Sequence, residues 1–299
     1  MKVSGKRITA FVLFFSQLFC GQALAGELPT GPCYTSDIDT EASNFDKGIW
    51  YYRCTAASGT EVLLEEGDKH TFLMINGSLS EENVILENGR AYMDLNKLCA
   101  ALGLSVQETA AALTIGNGSD AITLDRQSLS AKRDNGEEVL TAMLQGNDIY
   151  VPVRAFSTLF HADVTYSRQN IMPLFCPLID IDNREKGVSK EQALQDTKKM
   201  LLDFAQTYEL EDLYADYVDT DKGKAELQTA IETMRCTEET AGFWILQGPR
   251  LLLIDKAIGA AYYKTGNGKA GHGSYVETLS PLAGNETNLF RSILLQGVN

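Results

Sequence analysis

The chain has 299 residues, of which 44% are hydrophobic, and its 40 acidic and 26 basic side chains give a formal net charge of −14. Such a charge repels phosphate backbones, which excludes nucleic acid as an expected partner. The length allows one large domain or two ordinary domains.

The N-terminus predicts a secretory signal peptide over residues 1–25. Basic residues precede an apolar run, and a small-x-small cleavage pattern closes at Ala25. Ser16 and Gln17 interrupt the run, which is too short for the roughly 20 apolar residues of a membrane-spanning helix. We therefore expect a mature chain from Gly26, located outside the cytoplasm as a secreted or cell-envelope protein, with no transmembrane segment after signal removal.

Residues 26–60 are predicted to form a polar N-terminal leader segment. Five cysteines follow the signal peptide, and an odd number implies at least one unpaired thiol or an intermolecular bridge. Cys33 and Cys54 flank the short segment between them and are the preferred disulfide pair, because a bridge there would tether a region with little apolar content. The absence of C-x-x-C gives no support to a thioredoxin-like site or a zinc knuckle.

Residues 61–182 contain an internal repeat. Residues 88–106 align with residues 146–164 without a gap, at an offset of 58. The apolar positions agree between the copies: Tyr92 with Tyr150, Leu95 with Val153, Leu98 with Phe156, Leu102 with Phe160, and Val106 with Val164. Each copy predicts a turn, a short strand and a helix with one apolar stripe that faces a sheet.

The helix boundaries in the repeat are also predictable. Pro152 is tolerated in the first turn of a helix, where its missing N–H would have no partner. Gly103 is placed to end the first helix in a left-handed conformation. Its counterpart in the second copy is His161, a residue type that tolerates this conformation.

The second copy, from Tyr150 to Phe160, resembles the x-V-P-L-R-x-x-x-E-x-L-G signature of the copper amine oxidase N-terminal-like domain. Members of that family commonly carry two successive strand-turn-strand-helix copies in secreted bacterial proteins. Pro152 and Arg154 match the signature, whereas the first copy has Asp94 and Asn96 in their place. The resemblance implies a small antiparallel sheet twisted around a helix, in a non-catalytic stalk-type module.

The resemblance does not imply copper. In full amine oxidases the metal is held by histidines of a separate catalytic domain. This chain has three histidines, His70, His161 and His272, without a His-x-His pair or a helical i, i+4 pair. Copper sites prefer clustered imidazoles, so we expect neither a metal site nor a cofactor.

Residues 188–299 are predicted to form a C-terminal α+β domain. Ser189 is an expected N-cap for a helix that ends near Tyr208, and a second helix is expected over residues 224–235. Beyond Gly242 the pattern predicts five strands, the last over residues 288–295. The whole chain is thus expected to be α+β, with two repeats that form small antiparallel sheets packed on helices, followed by a helix-helix-antiparallel sheet domain.

The glycine-rich segment Gly266–Gly273 is the first candidate for a binding site. Its Asn267, Lys269 and His272 could contact a ligand, although the spacing fails the phosphate-loop pattern and a hairpin loop is the better explanation of the glycines. The sequence contains no G-x-S-x-G or H-E-x-x-H motif.

We therefore expect a secreted or envelope binding protein without catalytic residues, which contacts wall polymer or another surface protein. The alternative is a hydrolase or transferase with its site around Gly266–Gly273.

Overall fold

The chain folds as a mixed α+β protein with four β-sheets and five α-helices. These are the elements of the residues that this computed structural model describes, namely 31–67, 70–116, 120–208, 220–248, 250–266 and 276–294. The predicted signal peptide lies outside the described residues. So do the candidate binding residues Asn267, Lys269 and His272.

The strands and helices have the following bounds. The strands are β1 (Tyr34–Ile38), β2 (Tyr51–Ala56), β3 (Glu61–Glu65), β4 (Phe72–Ile75), β5 (Ser78–Ser80), β6 (Ile85–Glu87), β7 (Arg90–Asp94), β8 (Val106–Glu108), β9 (Ala112–Ile115), β10 (Ile122–Asp125), β11 (Ser130–Arg133), β12 (Glu138–Thr141), β13 (Met143–Gln145), β14 (Asp148–Pro152), β15 (Asp163–Ser167), β16 (Leu178–Asp182), β17 (Arg235–Glu239), β18 (Phe243–Gln247), β19 (Leu251–Asp255), β20 (Ala261–Thr265) and β21 (Val276–Pro281). The helices are α1 (Leu95–Ala101), α2 (Val153–Leu159), α3 (Lys190–Thr207), α4 (Thr220–Thr233) and α5 (Glu286–Leu294).

An eight-stranded antiparallel sheet joins the two ends of the described chain. Its order is β17-β18-β19-β20-β21-β1-β2-β3. The junction is the pairing of β1 with β21, in which Ser36 lies opposite Glu277. The predicted leader segment therefore supplies β1 and β2 to the same sheet as strands from the C-terminal region. The domain boundaries at residues 60 and 188 remain predictions from sequence.

Three helices cover one face of this sheet. Leu201 of α3, Ile231 of α4 and Phe290 of α5 are buried against sheet residues that include Trp244 and Ile254. α3 begins after Ser189, whose hydroxyl accepts a hydrogen bond of 3.2 Å from the backbone N–H of Gln192, as the sequence predicted.

The prediction of a final strand over residues 288–295 is wrong, because residues 288–294 lie in α5. Leu289 and Phe290 are both buried, and Ile293 packs beside them in the same cluster. Positions separated by three and four residues share a helix face, whereas adjacent residues of a strand point to opposite faces. The burial of the neighbours Leu289 and Phe290 together with Ile293 therefore suits a helix.

Three smaller sheets surround a second core. Their orders are β12-β11-β10-β9-β8, β13-β14-β7-β6 and β15-β16-β4-β5. The pairing of β16 with β4 is parallel, and it places Asp180 opposite Met74. This pairing brings the end of the predicted repeat region back to its beginning.

Four of the six elements in residues 72–108 have a counterpart that starts 58 residues later. β4, β6, β7 and α1 start at residues 72, 85, 90 and 95, and β11, β13, β14 and α2 start 58 residues later, at 130, 143, 148 and 153. Leu98 of α1 and Phe156 of α2 are both fully buried in one core cluster. The left-handed residues after the two helices were predicted correctly, with φ of 68° at Gly103 and 60° at His161.

Within the described part of the chain, no helix is both long enough and apolar enough to cross a membrane.

Candidate functional site

The structure does not bring Cys33 and Cys54 together. Both thiols are free. Cys54 lies opposite Ser36 in the middle of the ladder between β1 and β2, whereas the carbonyl of Cys33 accepts a hydrogen bond of 2.8 Å from the N–H of Ala57, just beyond the end of that ladder.

A polar groove of about 720 Å³ lies between α2, β15 and the turn from β17 to β18. We call it the Arg154 groove. It is lined by Arg154, Thr158, His161, Ala162, Asp163, Val164, Thr165, Tyr166 and Glu239. Its volume falls within the range of small-ligand sites in proteins, roughly 300–1,000 Å³.

The secondary structure explains how these side chains converge. Arg154 and Thr158 are one helical turn apart on the exposed face of α2, opposite the buried Phe156. His161 reverses the chain in its left-handed conformation, so that β15 runs back beside the helix. Glu239 is contributed by β17, at the end of the strand that precedes the turn.

Arg154 is the uncompensated charge of the groove. Its exposed guanidinium has no hydrogen bond or ion pair with any residue that the structure describes. The two carboxylates of the lining are paired: Asp163 lies 3.3 Å from Lys186, and Glu239 lies 3.1 Å from Lys256. The groove therefore offers one free cation to an anionic group.

Further lysines surround Glu239. The hydrogen bond from Lys256 and its charge lower the pKa of Glu239, and Lys190 and Lys186 add to the effect. Glu239 is therefore ionised at neutral pH and sits in a positive field. This cationic environment contrasts with the net charge of −14 of the whole chain.

Tyr166 presents an aromatic ring at the side of the groove. The residue is 45% exposed, and the guanidinium carbon of Arg168 lies 5.6 Å from the ring centroid. The Nε of Arg168 also donates a hydrogen bond of 3.2 Å to the phenolic oxygen, which raises the pKa of Arg168. These contacts hold the ring in place at the surface.

A buried carboxyl group lies behind the groove. Asp180 of β16 pairs with Thr165 in the ladder between β15 and β16. Thr165 Oγ1 accepts a hydrogen bond of 2.8 Å from the N–H of Ala241, and Asp180 Oδ2 accepts one of 2.8 Å from the N–H of Gly242. Desolvation raises the pKa of Asp180 to about 6, because burial disfavours the charged form.

A salt-bridge network next to Asp180 joins the small sheet to the large one. Arg184 donates hydrogen bonds to Asp182 of β16 at 2.6 Å and to Asp255 of β19 at 3.0 Å. A Cβ added at Gly77 would lie 2.7 Å from this guanidinium, and one added at Gly242 would lie 2.5 Å from Asp182. Two backbone segments thus confine the network, which forms a rigid support for the groove.

Comparison with known proteins identifies the segment that carries most of this groove. Residues 74–173 match the sequence model of the family described as "Copper amine oxidase N-terminal domain". The chain contains a copper amine oxidase N-terminal-like domain. No curated protein and no solved structure matches the chain.

Within the copper amine oxidase N-terminal-like domain, three groove residues differ in type from the residues that the sequence alignment places 58 positions earlier. The positions 58 residues before Arg154, His161 and Tyr166 hold Asn96, Gly103 and Glu108. The fully buried Leu98 and Phe156, by contrast, occupy corresponding places in the core. The fold keeps its apolar pattern in both halves, and the charged and aromatic groups of the groove are not needed for that pattern.

The histidines that the structure describes are His70 and His161. In the described ranges, no three His, Cys, Asp or Glu side chains lie close enough together to hold a metal ion. His161 is 80% exposed and lies 3.4 Å from Asp120. His70 stacks edge-on against Phe72, with ring centroids 4.7 Å apart.

Sequence reasoning noted Arg154 only as part of a family signature and missed the groove. The signal available was an exposed Arg and Thr on the helix face opposite the apolar stripe. Glu239 could not be assigned to the same place, because no local periodicity links β17 to α2. The sequence pattern also could not predict the pairing of Arg184 with Asp255, because the two residues are 71 positions apart.

Proposed function

We propose that the protein is a non-catalytic binding protein of the cell envelope, which contacts wall polymer or another surface protein through its copper amine oxidase N-terminal-like domain. The single observation that carries this proposal is the uncompensated guanidinium of Arg154 in the groove of that domain. A free charge on a rigid, folded scaffold favours recognition of a ligand over a purely structural role.

The cell-envelope location is supported by the sequence of residues 1–25. The basic start, the apolar run and the cleavage pattern at Ala25 favour export, and the acidic mature chain suits a soluble extracytoplasmic protein.

The proposal includes a duplicated scaffold. We infer that residues 72–108 and 130–166 are two copies of one strand-turn-strand-helix unit, and the 58-residue spacing of four of their six elements supports this inference. Such a unit cannot bury its apolar helix face alone, so two units that share one core are the smallest stable arrangement. One copy then carries the binding groove, and the other completes the core.

Sedimentation with insoluble envelope material tests the proposed function. The chain from Gly26 to Asn299 is mixed with purified envelope material, and the bound fraction is measured after centrifugation. We expect the chain to sediment, Arg154→Ala to lower the bound fraction, and the matched control Arg133→Ala to leave it unchanged, because Arg133 is exposed on β11 away from the groove. A chain that stays entirely in the supernatant would contradict the proposal.

The same assay separates the groove from the glycine-rich loop. Loss of binding in Lys269→Ala and His272→Ala, with full binding in Arg154→Ala, would place the site at Gly266–Gly273 instead. If those two variants abolished the turnover of a substrate found by activity screening, the hydrolase or transferase alternative would replace the binding proposal.

A further inference from the structure

We infer that the Arg154 groove binds an anionic glycan, with a carboxylate or phosphate group of the polymer on Arg154 and a sugar ring against Tyr166. This inference rests on the proposed function and names the ligand chemistry of its site.

The charge distribution selects an anionic ligand. Most of the surface repels anions, since the chain has 40 acidic and 26 basic side chains. At the groove the local charge is positive instead, because Lys186 and Lys256 pair with the two lining carboxylates and leave Arg154 free. A guanidinium presents parallel N–H donors that match the oxygens of a carboxylate or a phosphate.

The polar groups of the lining match a polyhydroxylated ligand. Asp163 and Glu239 can accept hydrogen bonds, and the hydroxyl of Thr158 can both donate and accept them. Sugar hydroxyls likewise donate and accept, so each can find a partner in the lining. The groove thus suits a glycan better than an anion that lacks hydroxyl groups.

The exposed ring of Tyr166 provides the apolar contact. An aromatic ring fixed at the rim of a polar groove offers a flat apolar surface, on which the C–H face of a sugar ring can pack. The cation–π contact with Arg168 orients this ring and adds positive charge beside it.

An acidic peptide fits the groove less well. The lining lacks Leu, Ile, Met, Phe and Trp side chains, which form the anchoring pockets of peptide sites. β15 is an edge strand that pairs with β16 alone among the described strands, so strand addition is the mode by which a peptide would compete, and a peptide polyanion is therefore included in the test below.

Binding of defined polymers to the chain from Gly26 tests the inference. We would titrate polygalacturonate as the carboxylate source, phosphorylated dextran as the phosphate source, poly-glutamate as a peptide polyanion and dextran as a neutral glycan. We expect polygalacturonate or phosphorylated dextran to bind in a salt-dependent manner, poly-glutamate to bind at least about tenfold more weakly, and dextran not to bind.

Variants of the two contact residues locate the binding. Arg154→Ala should weaken binding of the preferred polymer about tenfold or more, and Arg154→Lys should restore only part of it, because lysine lacks the planar pair of donors. Tyr166→Ala should weaken binding, whereas Tyr166→Phe should retain it. Arg133→Ala should bind like the unaltered protein.

Three results would overturn the inference. The first is equal loss in Arg154→Ala and Arg133→Ala, which would indicate diffuse attraction. The second is poly-glutamate binding as tightly as the glycans. The third is no binding to either anionic glycan, and in that case continued sedimentation with envelope material would leave the proposed function standing.

Discussion

Met93 and Val151 lie directly opposite each other in the antiparallel pairing of β7 with β14, and both are fully buried. Their positions in the sequence differ by 58, the same spacing that relates α1 to α2. The neighbouring pairs are Tyr92 with Pro152 and Asp94 with Tyr150, so the two strands are related by a local twofold axis through the Met93–Val151 pair. The pairing of β7 with β14 thus joins two segments that the sequence alignment at an offset of 58 places in register.

The first prediction concerns this shared core. Leu98→Ala and Phe156→Ala should each destabilise the protein by about 2–5 kcal/mol, because each leaves a cavity at a fully buried site. Chemical denaturation monitored by circular dichroism measures the loss. Leu86→Ala and Leu144→Ala are matched controls at corresponding positions that are 56% and 58% exposed, and they should change stability by less than about 1 kcal/mol. Similar losses in all four variants would contradict the shared core.

The second prediction concerns the Arg184 network. Arg184→Gln should cost about 3–5 kcal/mol, because it leaves Asp182 and Asp255 as buried carboxylates without their cation. Denaturation at pH 7 measures the loss. Lys222→Ala removes one partner of an exposed ion pair with Glu226, and it should cost less than about 1 kcal/mol. A loss in Arg184→Gln no larger than in this control would contradict a supporting role for the network.

The third prediction is a pH dependence that arises from Asp180. Desolvation raises its pKa in the folded state to about 6, whereas an aspartate in the unfolded chain has a pKa of about 3.9. The folded state therefore binds the proton more tightly between these values. The contribution of Asp180 to stability accordingly falls as the pH rises from about 4 to 6, by an amount on the order of 3 kcal/mol, and is constant above that.

Asp180→Asn should remove this contribution. As the pH rises from about 4 to 6, the unaltered protein should lose the unfolding free energy that Asp180 contributes, whereas the variant should not. The variant should therefore become more stable relative to the unaltered protein over this range. Denaturation curves across that range measure the difference, and Asp148→Asn, at an exposed position of β14, serves as the control. A pH-independent difference for Asp180→Asn would show that this carboxyl group is not the source.

The fourth prediction concerns thiol reactivity. Burial raises the pKa of Cys33, Cys54 and Cys99 to about 12, so their reactive thiolate forms are scarce at pH 8. In the folded chain from Gly26, iodoacetamide should label the half-buried Cys236 first. Mass spectrometry of labelled peptides gives the order, and urea should expose all thiols. Rapid labelling of Cys54 in the folded protein would contradict its buried position.

The sequence predicted the elements that depend on local pattern. The apolar stripes at Leu98 and Phe156, the capping of α3 by Ser189 and the left-handed turns at Gly103 and His161 each follow from residue type and spacing within one or two turns. The family resemblance also followed from a short motif, and the match over residues 74–173 confirms it. The last segment was predicted wrongly, because a short apolar run does not distinguish a strand from a helix that one sheet buries.

By itself, the sequence determined the helices α1, α2 and α3, the recurrence of its apolar pattern at 58 residues and the acidic charge. Only the tertiary structure decided that β1 joins β21, that β16 pairs in parallel with β4, and that Glu239 approaches the helix that carries Arg154. Local periodicity records which side of an element is buried, but not which distant element covers it. Partner choice depends instead on the combined packing of all the apolar faces, and the Arg154 groove exists only once that packing is complete.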